Sequence, residues 1–369
     1  MEVLPRKEGR ECHSFLGEYS DQISTAMRHF LQNMGIKKDD LKEPPSPGGR
    51  GLRGGGRNAT HPHPHPLLSR EREKELIFLF VLLTLVLFHV SVSYSASETF
   101  KDEVGREVIV PFPPKKIVSL APNVTEILFA LGLDQEIVGV SIHCNFPKRA
   151  KNKVRVGSYI SLDFEKIVSL KPDLIIATGA GNTKDMVERL ERLGFPIYVI
   201  FPKNFEEVLQ SIGHVGQVVD RKKEAAEIIQ EMKSRTQRVV DLTRGLPRPR
   251  VFLQIGEAPI VTVGKDSFAD DLIRLAGGDN VAGNEKTMYP RFGMEEVLKR
   301  SPEVILISSM NPRGNYQRVL QEWSRWRTIP AVRNGRIHLI DSDLIDRPSP
   351  RIIEGLEEVA RILHPEKFK

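Results

Sequence analysis

Residues 162–177 read LDFEKIVSLKPDLIIA. A helical stretch over 162–170 stops ahead of Pro172, because proline pushes the residue before it out of helical geometry. Asp173–Ala177 then gives a continuous apolar run of strand length, the pattern of a strand buried on both faces. Helix followed by buried strand is the repeating unit of a parallel sheet, and the unit recurs on either side. Upstream, Lys116–Leu120 reads as a strand, Asn123–Leu131 as a helix opened by the cap chemistry of residues 121–126, and Glu136–Val140 as a strand. Downstream, Asn182–Leu193 reads as a helix stopped by Gly194, and Pro196–Ile200 as the next strand. Such alternation predicts a parallel sheet with helices on both faces.

From Asn204 to about Arg244 no strand signal appears. Val208, Ile212, Val215, Val218 and Val219 recur at helical spacing, as do Ala225, Ile228, Ile229 and Met232. Gly213 and Gly216 weaken the first part, so a break is expected near Asp220. The alternation then resumes: strand 250–255, helix 267–275, helix 294–299, strand 303–307, helix 316–323, strand 336–340 and helix 350–363. The fold class is therefore α/β, two Rossmann-like lobes with central parallel sheets joined by a single long α-helix. The expected boundaries are 98–203 for the first lobe, 204–248 for the linking helix and 249–369 for the second lobe.

The first 97 of the 369 residues have a different texture. Leu76–Val92 reads LIFLFVLLTLVLFHVSV, without a formal charge. A charged flank (Arg70–Lys74) precedes it and small residues (93–97) follow, the layout of a cleavable secretory signal. The other reading is a membrane anchor, although the run is short of the ~20 residues a spanning helix needs. Residues 76–97 are thus expected to be signal or anchor, and the chain to work in the periplasm, secreted or anchored facing it. Pro44–Pro66, rich in Gly and Pro, cannot bury a core. His61, His63 and His65 alternate with proline there; a metal role is open, and an extended disordered stretch is the simpler reading. Residues 1–75 are expected to be a low-complexity extension upstream of the true start.

Composition excludes several classes. Two cysteines, Cys12 and Cys144, rule out a disulfide scaffold or a cysteine-built metal cluster. A net charge of +6 spread among 54 basic and 48 acidic groups makes no concentrated basic face, so nucleic acid is not expected as a partner. No G-x-G-x-x-G, Walker A loop, G-x-S-x-G elbow or H-E-x-x-H occurs, and an enzyme is not expected. His143, His214, His338 and His364 show no common-site spacing, so no metal site and no resident cofactor are expected.

Several phrases together resemble the substrate-binding proteins of ABC importers for cobalamin and ferric siderophores. They are Ile117–Glu126 (IVSLAPNVTE), Val140–Pro147 (VSIHCNFP), Val156–Tyr159, Leu162–Ile167, Leu170–Leu174, Arg291–Leu298 with Arg300–Glu303, and Arg347–Ile352 (RPSPRI). The resemblance runs over about residues 112–365. It implies a ligand held in a cleft between lobes, an ABC permease and its ATPase as partners, and a monomeric protein. It also implies that Glu165 and Glu295, one per lobe, dock onto permease arginines; exposed first-turn glutamates favoured by the helix dipole are the plainer reading.

Implied ligand-binding residues are Asn123, His143, Phe146, Tyr159, Tyr289, Asp343 and Arg347. Tyr159 and Tyr289 stand where cobalamin binders carry tryptophan, and Thr178 and His143 where some carry an aromatic. Asp343 and Arg347 could bond ligand amides or pair with each other. Aromatics with few basic groups point to a corrinoid as the transported ligand, with ferric siderophore or haem as the alternative. Trp323 and Trp326 are expected to pack a helix end.

Overall fold

A computed structural model of the chain describes residues 96–158, 161–256, 259–309 and 316–368. The readings of residues 1–95 and of Tyr159 lie outside that set. A hairpin that the sequence reading did not anticipate comes first: β1 (Ser97–Lys101) paired antiparallel with β2 (Glu107–Pro111). Val108 and Val110 of β2 point into the core. Between the strands, the Glu103 carboxylate accepts hydrogen bonds from the Phe201 N–H (2.5 Å) and the Ser211 hydroxyl (2.8 Å), fixing the hairpin to the first lobe.

The first lobe runs β3 (Ile117–Ser119), α1 (Pro122–Ala130), β4 (Ile137–Val140), β5 (Val154–Arg155), β6 (Gly157–Ser158), β7 (Ser161–Leu162), α2 (Phe164–Leu170), β8 (Leu174–Thr178), α3 (Lys184–Arg192) and β9 (Ile197–Ile200). Its five-stranded sheet has the order β5-β4-β3-β8-β9 and is parallel throughout. Side chains alternate across it with period two. Ile117, Leu174 and Ile176 enter one core, Val118, Ile175 and Ala177 the other. Leu162, expected to start a helix, instead pairs through β7 with Gly157, and Asp163 caps α2 by accepting the Lys166 N–H. Capping satisfies an otherwise orphaned donor, which is why the helix begins at Phe164.

The expected linking helix is two helices, α4 (Phe205–Val218) and α5 (Lys222–Thr243). The break falls where expected, with Asp220 in the left-handed region at φ 56°. Gly216 has a packing role that composition did not reveal: a Cβ there would lie 2.5 Å from the Ala225 Cβ, so only glycine lets the two helices approach this closely. Along α5, Ala225, Met232 and Val239 are buried at intervals of seven, a single stripe against the core. α5 packs on α4 and on the last helix of the second lobe.

The second lobe runs β10 (Arg250–Gly256), β11 (Ile260–Thr262), α6 (Phe268–Leu275), β12 (Asp279–Asn280), β13 (Arg291–Phe292), α7 (Met294–Arg300), β14 (Val304–Ser309), α8 (Tyr316–Trp323), α9 (Pro330–Arg333), β15 (Ile337–Asp341), α10 (Ser342–Ile345) and α11 (Ile352–Leu363). Its sheet, β13-β11-β10-β14-β15 with β12 beside β10, is parallel at its centre. β11 and β13 add an antiparallel edge, so this sheet is mixed where a parallel one was expected. Val251, Leu253, Val304 and Leu306 face the core shared with the first lobe, while Phe252, Ile305 and Ile307 face the outer layer. Trp323 is buried in that layer and its indole N–H donates to Gln254. One apolar core runs from the first lobe through α4, α5 and α6 to α11.

Candidate functional site

A cleft of about 620 Å³ opens between the lobes, within the ~300–1,000 Å³ range of ligand pockets. Its first-lobe wall is built from the ends of four strands: Ala121, Pro122 and Asn123 beyond β3, His143 beyond β4, Thr178–Gly181 at β8, and Phe201–Lys203 beyond β9. The carboxyl ends of parallel strands are where open α/β sheets bind ligands. The Thr178 N–H donates to the Asn182 side-chain oxygen (3.0 Å), folding the small-residue turn 179–181 against Phe201. The second-lobe wall carries Phe268, Met288, Tyr289, Ser342, Asp343, Asp346, Arg347 and Pro348.

Of the residues implied for binding, Asn123, His143, Tyr289, Asp343 and Arg347 line this cleft. Tyr289 is 48% exposed, a ring face open to an occupant. Burial and the nearby Asp346 charge push its hydroxyl above its ordinary pKa, so it stays protonated and able to donate. Asn123, at the start of α1, is 5% exposed, and its Nδ2 has no hydrogen-bond partner. Phe146 is not part of the cleft wall: the Arg351 guanidinium lies 3.9 Å from its ring centroid, a cation–π contact at the junction of the lobes. Tyr159 lies outside the described residues.

Asp343 and Arg347 do pair, and the pair reaches across the cleft floor. Arg347 contacts Asp343 at 2.5 Å, and donates to the first-lobe residues Glu126 (2.9 Å) and Asn145 (2.7 Å). Asn145 donates in turn to Asp343 (2.7 Å), and the Ser349 hydroxyl to Glu126 (2.6 Å). The Glu126 side chain is only 2% exposed. Burial raises its pKa, and the bonds from Ser349 and Arg347 hold it down against that pull. Sequence reading missed Glu126 and Asn145 as partners because the residues they meet lie about 200 positions away; the signal available was Glu126 as the one ionisable residue of α1.

The loop carrying His143 is anchored from behind. Arg155 donates to the carbonyls of Ser141 and Cys144, at 2.9 Å each. Cys144 is buried against Thr125 and Ser141, and burial pushes its thiol up, leaving it unreactive. Among the described residues no three His, Cys, Asp or Glu side chains come together to hold a metal.

Glu165 and Glu295 occupy matching places, each the second residue of a seven-residue helix, α2 and α7. Both are exposed, and neither has an ion-pair partner among the described residues. The adjacent Glu296 differs: Arg300 binds it at 2.6 Å and lowers its pKa.

Comparison with known proteins agrees with this architecture. The periplasmic binding protein family matches residues 117–344. A vitamin B12-binding protein of Vibrio vulnificus is 32% identical over 67% of this chain and 89% of its own length. An ABC transporter substrate-binding lipoprotein of Bacillus subtilis is 31% identical over 73% of this chain and 87% of its own. The crystal structure of a periplasmic vitamin B12 binding protein of Vibrio cholerae, 31% identical, superposes with a TM-score of 0.61 over 70% of this chain and 100% of that one. Two lobes on a helical junction, a cleft at their strand ends and these likenesses have one reading: the chain belongs to the periplasmic binding protein family, among the two-lobed substrate-binding proteins of ABC importers.

Proposed function

We propose that this protein captures a corrinoid, cobalamin or a close analogue, between its lobes and delivers it to an ABC permease driven by its ATPase. The observation that carries the reading is the charge of the cleft. Arg347 is the guanidinium of the described wall, and its charge is already met by Glu126 and Asp343. Lys203 sits 5.4 Å from the Phe201 ring centroid, and the second-lobe wall carries the carboxylates of Asp343 and Asp346. A ferric catecholate or a haem needs free cations for its negative groups. A neutral, broad, carboxamide-bearing ligand needs aromatic surface and scattered polar partners, which Tyr289, Phe201 and Asn123 supply. The vitamin B12-binding relatives favour the same ligand.

The remaining parts of the reading follow the family. Glu165 and Glu295 dock the two lobes onto permease arginines, the protein acts as a monomer in the periplasm, and residues 76–97 bring it there as a signal or hold it as an anchor. Among the described residues no helix is long and apolar enough to cross a membrane.

Calorimetric titration with cyanocobalamin tests the ligand. One-to-one saturable binding at micromolar or tighter affinity is expected. No heat with cyanocobalamin, and binding of haemin or a ferric siderophore in its place, would overturn the corrinoid reading.

A further inference from the structure

Asp346 follows α10 directly and belongs to the cleft wall together with Asp343, Arg347 and Tyr289. Its backbone N–H donates to the Ser342 carbonyl (2.8 Å), and its Oδ2 accepts the Ser308 hydroxyl (2.5 Å) from the end of β14. The carboxylate is therefore aimed, while the side chain stays exposed to the cleft. Neither family resemblance nor local pattern singled it out.

We infer that Asp346 is a specificity-determining carboxylate of the cleft: it accepts a hydrogen bond from a carboxamide N–H of the ligand and turns away a ligand that presents a carboxylate at the same place. The inference rests on the corrinoid reading and adds to it the group that tells amide from acid. The two ligand groups are nearly equal in shape, so packing cannot separate them. A fixed, ionised acceptor can, because it gains a hydrogen bond from one and meets like charge from the other.

The charged neighbourhood supports this. Asp343 and Asp341 face Asp346 with the same sign, Arg347 opposes them, and Tyr289 and Ser308 are neutral donors. Arg347 is shared with Glu126 and Asp343, so it does not fully compensate Asp346. The cleft walls hold bulk water away from the carboxylate and raise the Asp346 pKa to about 6, the Ser308 hydrogen bond restrains the rise, and the Asp343 charge adds to it. Asp346 is consequently ionised at neutral pH and becomes neutral in mild acid, where it no longer repels a carboxylate.

The test compares cyanocobalamin with its monocarboxylic acid derivatives, each with one carboxamide hydrolysed, by calorimetry on the wild-type protein, Asp346→Asn and Ser308→Ala. At pH 7.5 the wild type should bind cyanocobalamin about tenfold or more tighter than at least one derivative, since a hydrogen bond to a charged acceptor is worth about 1.5–3 kcal/mol. The gap should narrow at pH 5. Asp346→Asn keeps the size of the side chain and an oxygen for Ser308, and should close the gap already at pH 7.5. Ser308→Ala should move the narrowing to higher pH, because it removes the bond that holds the pKa down. A wild type that does not distinguish amide from acid, or an Asp346→Asn protein with the wild-type gap, overturns the inference and leaves the corrinoid reading standing. A wild type that binds haemin and ignores every corrinoid overturns both.

Discussion

The two lobes repeat one device and then diverge. In each, a seven-residue helix ends on a residue in the left-handed region, Lys171 at φ 48° and Ser301 at φ 51°. A proline follows, then a carboxylate, then the strand that lies beside the lobe's central strand: Pro172-Asp173-β8 and Pro302-Glu303-β14. Asp173 accepts the N–H groups of Lys115 and Lys116 at the entry to β3, and Glu303 that of Arg250 at the start of β10. The cleft walls share none of this likeness. The first lobe offers the amide of Asn123, His143 and a small-residue turn; the second offers Asp343, Asp346 and Tyr289. The repeated parts set the backbone, and the chemistry sits in the loops, where substitution does not disturb the sheet.

If α2 and α7 are equivalent docking posts, breaking both should have the largest effect on transport. Glu165→Lys with Glu295→Lys should reduce ligand uptake in cells at least about a hundredfold, since each reversal sets like charges against each other where a paired contact had formed. Calorimetric affinity for the ligand should stay at the wild-type value, because neither residue lines the cleft. Each single reversal should fall between. Uptake that survives the double reversal would end the equivalence.

The next largest effect belongs to the contact that ties the unlike walls together. Glu126→Ala leaves Arg347 and Arg351 at the lobe junction without their shared carboxylate. Breaking a buried ion pair on one side costs about 3–5 kcal/mol. The side chains of both arginines keep some exposure, which argues for the lower end, near 3 kcal/mol. Urea unfolding reads the loss directly. A change under about 1 kcal/mol would mean that the lobes are held by the apolar core alone.

That core predicts a smaller and more local effect on the α4–α5 junction. Gly216→Ala brings a Cβ to 2.5 Å from that of Ala225, an overpacking of about 1–3 kcal/mol. Gly213→Ala in the same helix meets only Ile229 at 3.5 Å, an ordinary contact, and should be neutral or stabilising by up to about 1 kcal/mol through helix propensity. Opposite signs from two glycines three residues apart would show that packing, not propensity, fixes the junction.

The same residues show what the sequence could disclose. The central strands are legible because they are buried on both faces and so are apolar without interruption, as in Leu174–Ala177 and Val304–Ile307. The hairpin was not, because Ser97–Lys101 turns mostly to solvent and its pairing depends on β2. The edge strands β11 and β13 are three and two residues long, below what periodicity can detect. In the cleft, Asp343 and Arg347 share a turn, so their pairing was foreseeable. The reach of Arg347 to Glu126 spans 221 positions and has no local signature. Gly216 looks like a helix weakener in the sequence for the same reason: Ala225, the residue it packs on, belongs to the next helix.

Two histidines carry the comparison to its smallest measurable effect. His214 of α4 bonds Glu103 at 3.2 Å, and that bond raises its pKa against the opposing pull of burial. His338 of β15 has its pKa lowered, first by burial and then by Arg336. The signs are opposite. The raised pKa of His214 favours the folded state, fully below the unfolded value near 6.5, and the benefit fades as pH rises through the folded value. The lowered pKa of His338 leaves stability intact above about 6.5 and removes it as pH falls toward the folded value. His214 is 45% exposed, so solvent screening keeps its part below about 1 kcal/mol. The wild type should therefore change little between pH 5.5 and 8 from these two groups together. His214→Asn should lose stability relative to wild type at pH 5.5 and converge with it at pH 8. His338→Asn should gain at pH 5.5 and converge at pH 8. Urea unfolding at both pH values separates the two, and shifts of equal sign would show that the two histidine environments do not differ.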